Sequence, residues 1–214
     1  MYKSPLKSSL VIGKALTLSA LVLSALLVGA CSGLLKSDQP TKHVFLLQPL
    51  SSSAASAVTA EPMPLVISSR VVPGLDTDRI LVLGYDASLT PVANARWADN
   101  LPEVMNSIVR RSLTLSGRYA PAFDDRKKVG LDSQLQLELQ AFYGIGTASG
   151  EPDRVEIKIE GRLTCQDTQH AIQIDQSESV NGSGLSRIVA AHQGALNEAM
   201  EALLHALDTH CQQV

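Results

Sequence analysis

Three consecutive stretches in the second half of the chain alternate apolar and polar residues with a period of two. They are Ser133–Tyr143, Arg154–Cys165 and Ala171–Ser177, and short turn-like segments separate them. Because successive side chains of a β-strand point to opposite faces, this alternation is typical of strands that bury one face and expose the other. Three such strands in a row predict an antiparallel meander. In the first stretch the predicted buried row is Leu135, Leu137, Leu139 and Ala141.

Two amphipathic segments predict helices. Leu185–Leu207 carries a continuous apolar stripe at helical spacing, and a helix of this kind must cover a sheet face. Leu101–Ser116 follows Asn100, which with Glu103 predicts a capping box, and Gly117 is placed to end the helix. The apolar face predicted for this first helix consists of Leu101, Val104, Met105, Ile108, Ser112 and Leu115.

Shorter apolar runs before the meander predict five further strands, at 43–47, 64–72, 79–85, 92–97 and 119–123. The connection from Gly74 to Asp78 is short, so the strands on either side of it are predicted to pair as neighbours. Together the elements predict an α+β fold: a mixed, mainly antiparallel sheet with two amphipathic helices packed on one face.

The N-terminus predicts a secreted, lipid-anchored protein. Lys3, Lys7 and Lys14 precede an apolar run that is too short to span a membrane comfortably and that stops at Cys31 after Gly29-Ala30. This ending resembles the lipobox of bacterial lipoproteins, in which the cysteine receives acyl chains such as palmitate and becomes the new N-terminus. An ordinary cleaved signal with a chance cysteine is the alternative.

We expect a signal peptide over 1–30, a flexible lipid-anchored tether over 31–42, and one α+β periplasmic domain over 43–214 with a mobile Ser/Ala loop at 51–60. Ser32 stands where an aspartate favours inner-membrane retention in enteric-type lipoproteins. That resemblance implies the outer membrane rather than the inner membrane, with the domain facing the periplasm.

Charge argues against two classes of partner. The first 30 residues hold three lysines and no acid, so the remaining 184 residues carry 21 acidic and 15 basic side chains, a formal charge of −6. Nucleic acid needs a basic footprint, and an anionic lipid surface attracts a polybasic patch. We therefore predict no nucleic acid partner and membrane attachment through the anchor alone.

If Cys31 is acylated, Cys165 and Cys211 are the remaining cysteines. In an oxidising compartment they can form a disulfide, which over this separation would stabilise the fold by about 4 kcal/mol in the chain-entropy model. Two unpaired buried thiols are the alternative, and the sequence leaves both open.

A search for chemistry predicts no enzyme. The motifs G-x-S-x-G, the P-loop and H-E-x-x-H do not occur. His192 lies on the apolar side of the last helix and is predicted to be a core residue, while His205 and His210 are five residues apart, which is not the same-face spacing of three or four. The acids Glu138, Glu156 and Glu160 are predicted to lie on a solvated strand face. We predict no catalytic, cofactor-binding or metal-ligating residue and no cofactor.

Three motifs in sequence order carry a family resemblance. They are the aromatic-containing first strand Val44–Leu47, the strand–turn–strand segment Val71–Val82 with its Pro-Gly turn, and the segment Ala95–Pro102, A-R-W-A-D-N-L-P, that leads into the first helix. With this order and spacing the chain resembles the ABC-type transport auxiliary lipoprotein family, which includes the paraquat-inducible protein C type.

The resemblance implies a non-enzymatic docking or channel-end component of an intermembrane lipid-transport system. Its implied partner is a mammalian-cell-entry domain protein of an inner-membrane transport complex, and a homo-oligomer ring is also implied. Within this frame we interpret Arg96 and Trp97 as anchors of the first helix to the sheet, with Trp97 in the core rather than at a partner surface. Two alternatives stay open: an assembly lipoprotein of another outer-membrane machine, and a lipid-anchored hydrolase.

Overall fold

The computed structural model describes residues 41–51, 61–122, 133–147, 150–166 and 168–211. The predicted signal peptide, Cys31, most of the tether and nearly all of the Ser/Ala loop lie outside these ranges. The described strands are β1 His43–Phe45, β2 Met63–Val71, β3 Arg79–Leu83, β4 Leu89–Trp97, β5 Tyr119–Ala122, β6 Gln134–Gly146, β7 Pro152–Cys165 and β8 Thr168–Ser179. The described helices are α1 Leu101–Leu115 and α2 Leu185–Cys211, and a 3-10 turn covers Pro73–Leu75.

The meander predicted from alternation is confirmed. β6, β7 and β8 pair antiparallel in sequence order, and their apolar rows meet across the strands, with Leu139 opposite Ile159 and Ile159 opposite Ile174. α2 packs against this meander, and its stripe of apolar side chains is buried. Both helices contribute to one hydrophobic core together with the inner rows of the strands, so the predicted α+β class is correct.

The sheet branches at β6. Along one edge β6 pairs with β7, and along the other edge its first half pairs parallel with β2 and its last residues pair parallel with β3. The predicted pairing of β2 with β3 is therefore wrong. Both strands run parallel to β6, and two strands that run in the same direction cannot form a hairpin across a short turn. The short connection instead places them one after the other along the same edge.

A register shift in β6 corrects one predicted core residue. The shift lies between Leu139 and Ala141, and beyond it Phe142 stands opposite Ile157 and joins the core. Ala141 is buried but stands opposite Lys158 and lies outside that core. The bulge inserts one residue, which exchanges the faces of all later side chains.

α1 begins where predicted, but the hydrogen bonds at its N-terminus differ from the predicted capping box. The Asn100 side chain makes no capping hydrogen bond; the Leu101 N–H donates instead to the Thr77 carbonyl at 3.1 Å. The buried face is also rotated, because Val109 and Leu113 are buried while Leu115 is 49% exposed. Gly117 ends the helix with a positive φ of 69°, as predicted.

Candidate functional site

Three rings meet in the core where β4, β6 and α2 come together. The Trp97 ring lies 5.7 Å from the Phe142 ring and 5.2 Å from the His192 ring, measured between centroids, and Phe142 and His192 are 5.1 Å apart. Trp97 is 2% exposed and His192 is fully buried. Edge-to-face contacts of this kind add to the stabilisation from burial. His192 is thus the core residue that its position in the helical stripe predicted.

His192 is held in its neutral form. Its Nδ1 lies 2.8 Å from the Ile188 carbonyl, and that acceptor fixes the proton on Nδ1. Nε2 is buried and has no hydrogen-bond partner in the described part of the chain. Burial penalises the imidazolium and lowers the pKa of His192 to about 4, against the weaker opposing effect of the Ile188 carbonyl.

The depressed pKa of His192 predicts a loss of stability in mild acid. The unfolded chain binds this proton with a pKa near 6.5, so the unfolded state takes up more protons as the pH falls from 6.5 towards 4. We expect the free energy of unfolding to fall over that window by on the order of 3 kcal/mol. Denaturant unfolding at pH 7 and pH 4 measures the change. The His192→Gln variant should lose this part of the pH dependence, whereas His205→Gln, on the exposed side of α2, should keep it; an unchanged slope in the first variant would contradict the assignment.

Arg96 and Trp97 meet different surroundings although they are adjacent. Arg96 is on the surface, where its Nη1 lies 3.4 Å from the Asp78 carboxylate. The main-chain N–H of Trp97 donates to the Asp78 carbonyl at 2.8 Å, while the indole ring of Trp97 contacts β6 and α2. The turn before β3 therefore links this motif to α1, because Thr77 accepts the first helical N–H. The contacts of Asp78 with Arg96 and Trp97 were not predicted from the sequence. The only sequence signal was the position of an acid directly before a strand.

A second cluster ties the end of α2 to the sheet. Cys165 of β7 and Cys211 of α2 form a disulfide with a Cα–Cα distance of 5.5 Å. Beside it the rings of His170 and His210 stack with centroids 4.1 Å apart. One turn earlier in α2, Asp208 accepts a 2.7 Å hydrogen bond from the Tyr119 hydroxyl and pairs with Arg118. Within the described residues no group of three or more possible metal ligands occurs.

The sheet face opposite the helices is polar and forms a wide groove. We call this surface the open face. Arg70 pairs with Glu138 at 2.9 Å, Lys158 pairs with Glu156 at 2.6 Å, and Glu160 stands directly opposite Glu138 across the strands. The groove has a volume of about 660 Å³ and is lined by Ser68, Arg70, Gln136, Leu137, Glu138, Glu160, Gly161, Arg162, Gln169, His170 and Ala171.

The three acids predicted for a solvated strand face, Glu138, Glu156 and Glu160, lie on the open face and are solvated or paired with cations, as strand alternation indicated. Charges of both signs lie side by side, and such a surface suits hydrogen bonds and ion pairs with another protein rather than an acyl chain. We take the open face as the candidate docking site. Its assembly from four strands could not be predicted, because it depends on the lateral order of β2, β6, β7 and β8.

An apolar groove lies at the other end of the fold, beside the start of α2. It has a volume of about 450 Å³, and its apolar lining includes Val82, Val92, Pro152, Val180, Leu185 and Ile188. In the described part of the chain, no helix has the length and apolar character needed to cross a membrane.

Comparisons with known proteins identify a family and two solved structures with the same fold. A family model described as "ABC-type transport auxiliary lipoprotein component" matches residues 45–203. A solved structure of an uncharacterized protein is 16% identical, with a TM-score of 0.61 over 78% of this chain and 99% of that chain. A protein from Xanthomonas campestris is 17% identical, with a TM-score of 0.58 over 78% of this chain and 94% of that chain. At these identities the two structures show the same fold. No curated protein matches the sequence significantly.

Proposed function

Because the chain belongs to the ABC-type transport auxiliary lipoprotein family, we propose that it is a non-catalytic docking or channel-end component of an intermembrane lipid-transport system. The match over residues 45–203 carries this proposal, since it covers nearly all of the described elements. The proposed partner is a mammalian-cell-entry domain protein of an inner-membrane transport complex, and the proposed docking surface is the open face.

The charge pattern of the open face supports a protein partner. Arg70 pairs with Glu138 and Lys158 with Asp175 across neighbouring strands, and Arg162 lines the same groove, so a partner can be selected by complementary charges in a defined register. Exposed ion pairs of this kind contribute little to stability, which leaves them available for exchange with a partner's charges.

The anchor supplies the position of the domain in this proposal. Acylation at Cys31 would hold the domain over 43–214 at the outer membrane, on its periplasmic side. Eleven residues between the lipid and the first strand reach roughly 36 Å when fully extended, so the domain could meet a partner away from the bilayer. A homo-oligomer ring, which the family resemblance implied, remains part of the proposal.

Crosslinking in intact cells tests the partner. A photoreactive residue in place of Arg162, on the open face, should capture a mammalian-cell-entry domain protein, whereas the same residue at Glu198, on the exposed side of α2, should not. Capture of an outer-membrane barrel or a secretin by Arg162 would favour the assembly-lipoprotein alternative. Robust turnover of esters, glycans or peptides by the purified protein would overturn the non-catalytic role.

The Cys31→Ser variant tests the anchor separately. We expect a folded domain that is released from the membrane and that no longer complements a deletion of the gene. Full complementation by the released form would show that the anchor is incidental, without affecting the result of the crosslinking.

A further inference from the structure

The sheet formed by the described strands has three ends, at β1, β5 and β8, and the first two are protected against pairing with another chain. β1 is three residues long, and β5 is four residues long and contains Pro121. Short edge strands and proline are the usual devices that keep an exposed edge from recruiting a further strand. The third end is β8, which has twelve residues and, within the described part of the chain, pairs with β7 only.

β8 lacks these devices. It contains no proline, lysine, arginine or glycine. Its register with β7 is continuous from Cys165 opposite Thr168 to Arg154 opposite Ser179, without the shifts that interrupt β6 and β7. A long, regular edge with unpaired main-chain groups is a template for another strand.

The charges of β8 leave this edge free of repulsion. Its acids are Asp175 and Glu178. Asp175 lies 3.6 Å from the Lys158 ammonium of the neighbouring strand, and the Glu178 side chain lies against Gly194 of α2. Ile172 and Ile174 are 5% exposed and form the last apolar row under α2.

We propose that β8 pairs antiparallel with β8 of a second copy of this chain, about a two-fold axis that passes through Gln173. An axis perpendicular to the sheet keeps the helices of both copies on one side, and it requires residues of the same face to stand opposite each other. Centring on Gln173 pairs apolar with apolar and each acid with an uncharged residue across the two copies: Ile172 with Ile174, Asp175 with Ala171, and Glu178 with Thr168.

A register centred on Ile174 fits less well, because it places Ile172 opposite the polar Gln176. The register centred on Gln173 uses residues 168–178 of both copies. Eleven paired residues supply roughly eleven main-chain hydrogen bonds, comparable with the roughly ten of a typical stable interface. α2 packs over β7 and β8, and a helix centred there would lie roughly 10 Å from its two-fold copy, which is a helix-packing distance.

A two-fold contact closes after two copies, so any ring must use a further, head-to-tail contact. The inference is independent of the transport partner, because it concerns the main-chain edge of β8, whereas the open face would be recognised through outward side chains, including those of β8. The experiments below can therefore fail while the proposed function stands, and the reverse also holds.

A cysteine at the axis tests the register in the full-length protein in its native membranes. In the Gln173→Cys variant, mild oxidation should give a disulfide-linked dimer on a non-reducing gel, because directly opposite Cα atoms lie roughly 4.5–5.5 Å apart. The matched Ala171→Cys variant, on the same exposed face, should not crosslink, because its counterpart would lie about 14 Å away. A dimer from Ala171→Cys, or none from Gln173→Cys, would overturn the proposal.

A charge at the axis tests the contact itself. Gln173→Lys would place two ammonium groups directly opposite each other, so we expect weaker dimer association, with a Kd at least tenfold higher. Light scattering of the detergent-solubilised full chain measures the mass, and circular dichroism checks that the variant is folded. A parent chain that is monomeric at about 100 μM, or a folded Gln173→Lys variant with an unchanged Kd, contradicts the pairing.

Discussion

Replacing Trp97 with alanine should lower the free energy of unfolding by about 3–5 kcal/mol, the range for removing a large buried aromatic side chain. The indole is 2% exposed and touches Phe142 and His192, so its loss opens a cavity between β4, β6 and α2. Denaturant unfolding of the variant and the parent measures the change as a shift of the midpoint at constant slope.

Arg96→Ala is the matched control, since Arg96 precedes Trp97 on the same strand. Its guanidinium is exposed and its ion pair with Asp78 is long, at 3.4 Å, so we expect a loss within about 1 kcal/mol. If the two variants lost similar stability, the conclusion that Trp97 acts through the core while Arg96 acts at the surface would be wrong.

Removing the disulfide should lower the free energy of unfolding by about as much as Trp97→Ala. The Cys165→Ser/Cys211→Ser variant frees a link between residues 46 apart, which in the chain-entropy model corresponds to about 4 kcal/mol of unfolding free energy. Most of this effect arises in the unfolded state, whose loop is no longer closed. Calorimetry should show a lower Tm for the variant in non-reducing buffer.

A reducing agent provides the control for the disulfide. It should lower the Tm of the parent towards that of the double variant and leave the double variant unchanged. A parent whose Tm is insensitive to reduction under unfolding conditions would indicate that Cys165 and Cys211 are not joined in solution.

Local patterns in the sequence predicted the parts of the fold that are local in the chain. The alternation of Leu135, Leu137 and Leu139 with polar residues defined a strand by itself, and the next two strands follow within short turns. The burial of His192 followed in the same way from its position in a helical stripe. In each case the period of the apolar residues decides the structure, and no distant partner is needed.

The parts that failed depend on distant partners. β2 and β3 find β6 more than sixty residues later in the chain, and nothing in their own sequences shows that partner. The bulge after Leu139 is a one-residue insertion that simple alternation cannot reveal. At the start of α1, the carbonyl of Thr77 took the place that the Asn100 side chain was predicted to fill.

In the candidate site, too, local features could be predicted and features that depend on distant partners could not. Arg96 and Trp97 were singled out from a motif, but the role of Asp78 became visible only once the turn before β3 was placed beside the end of β4. The acids of the open face could be assigned to a solvated surface from alternation alone. Their grouping with Arg70 required β2 to be placed beside β6, which is again a pairing between distant parts of the chain.

The branching of the sheet at β6 has a consequence for the time course of folding. β2 and β3 both pair with β6, so the first half of the chain cannot complete its sheet until β6 is available for pairing. β6, β7, β8 and α2 are contiguous in sequence and need only short loop closures. Because contacts between distant residues form slowly, we expect this C-terminal unit to form first and to serve as the template on which the earlier strands dock. Until then the first half of the chain would expose unpaired strands, and it would depend on chaperones to avoid aggregation.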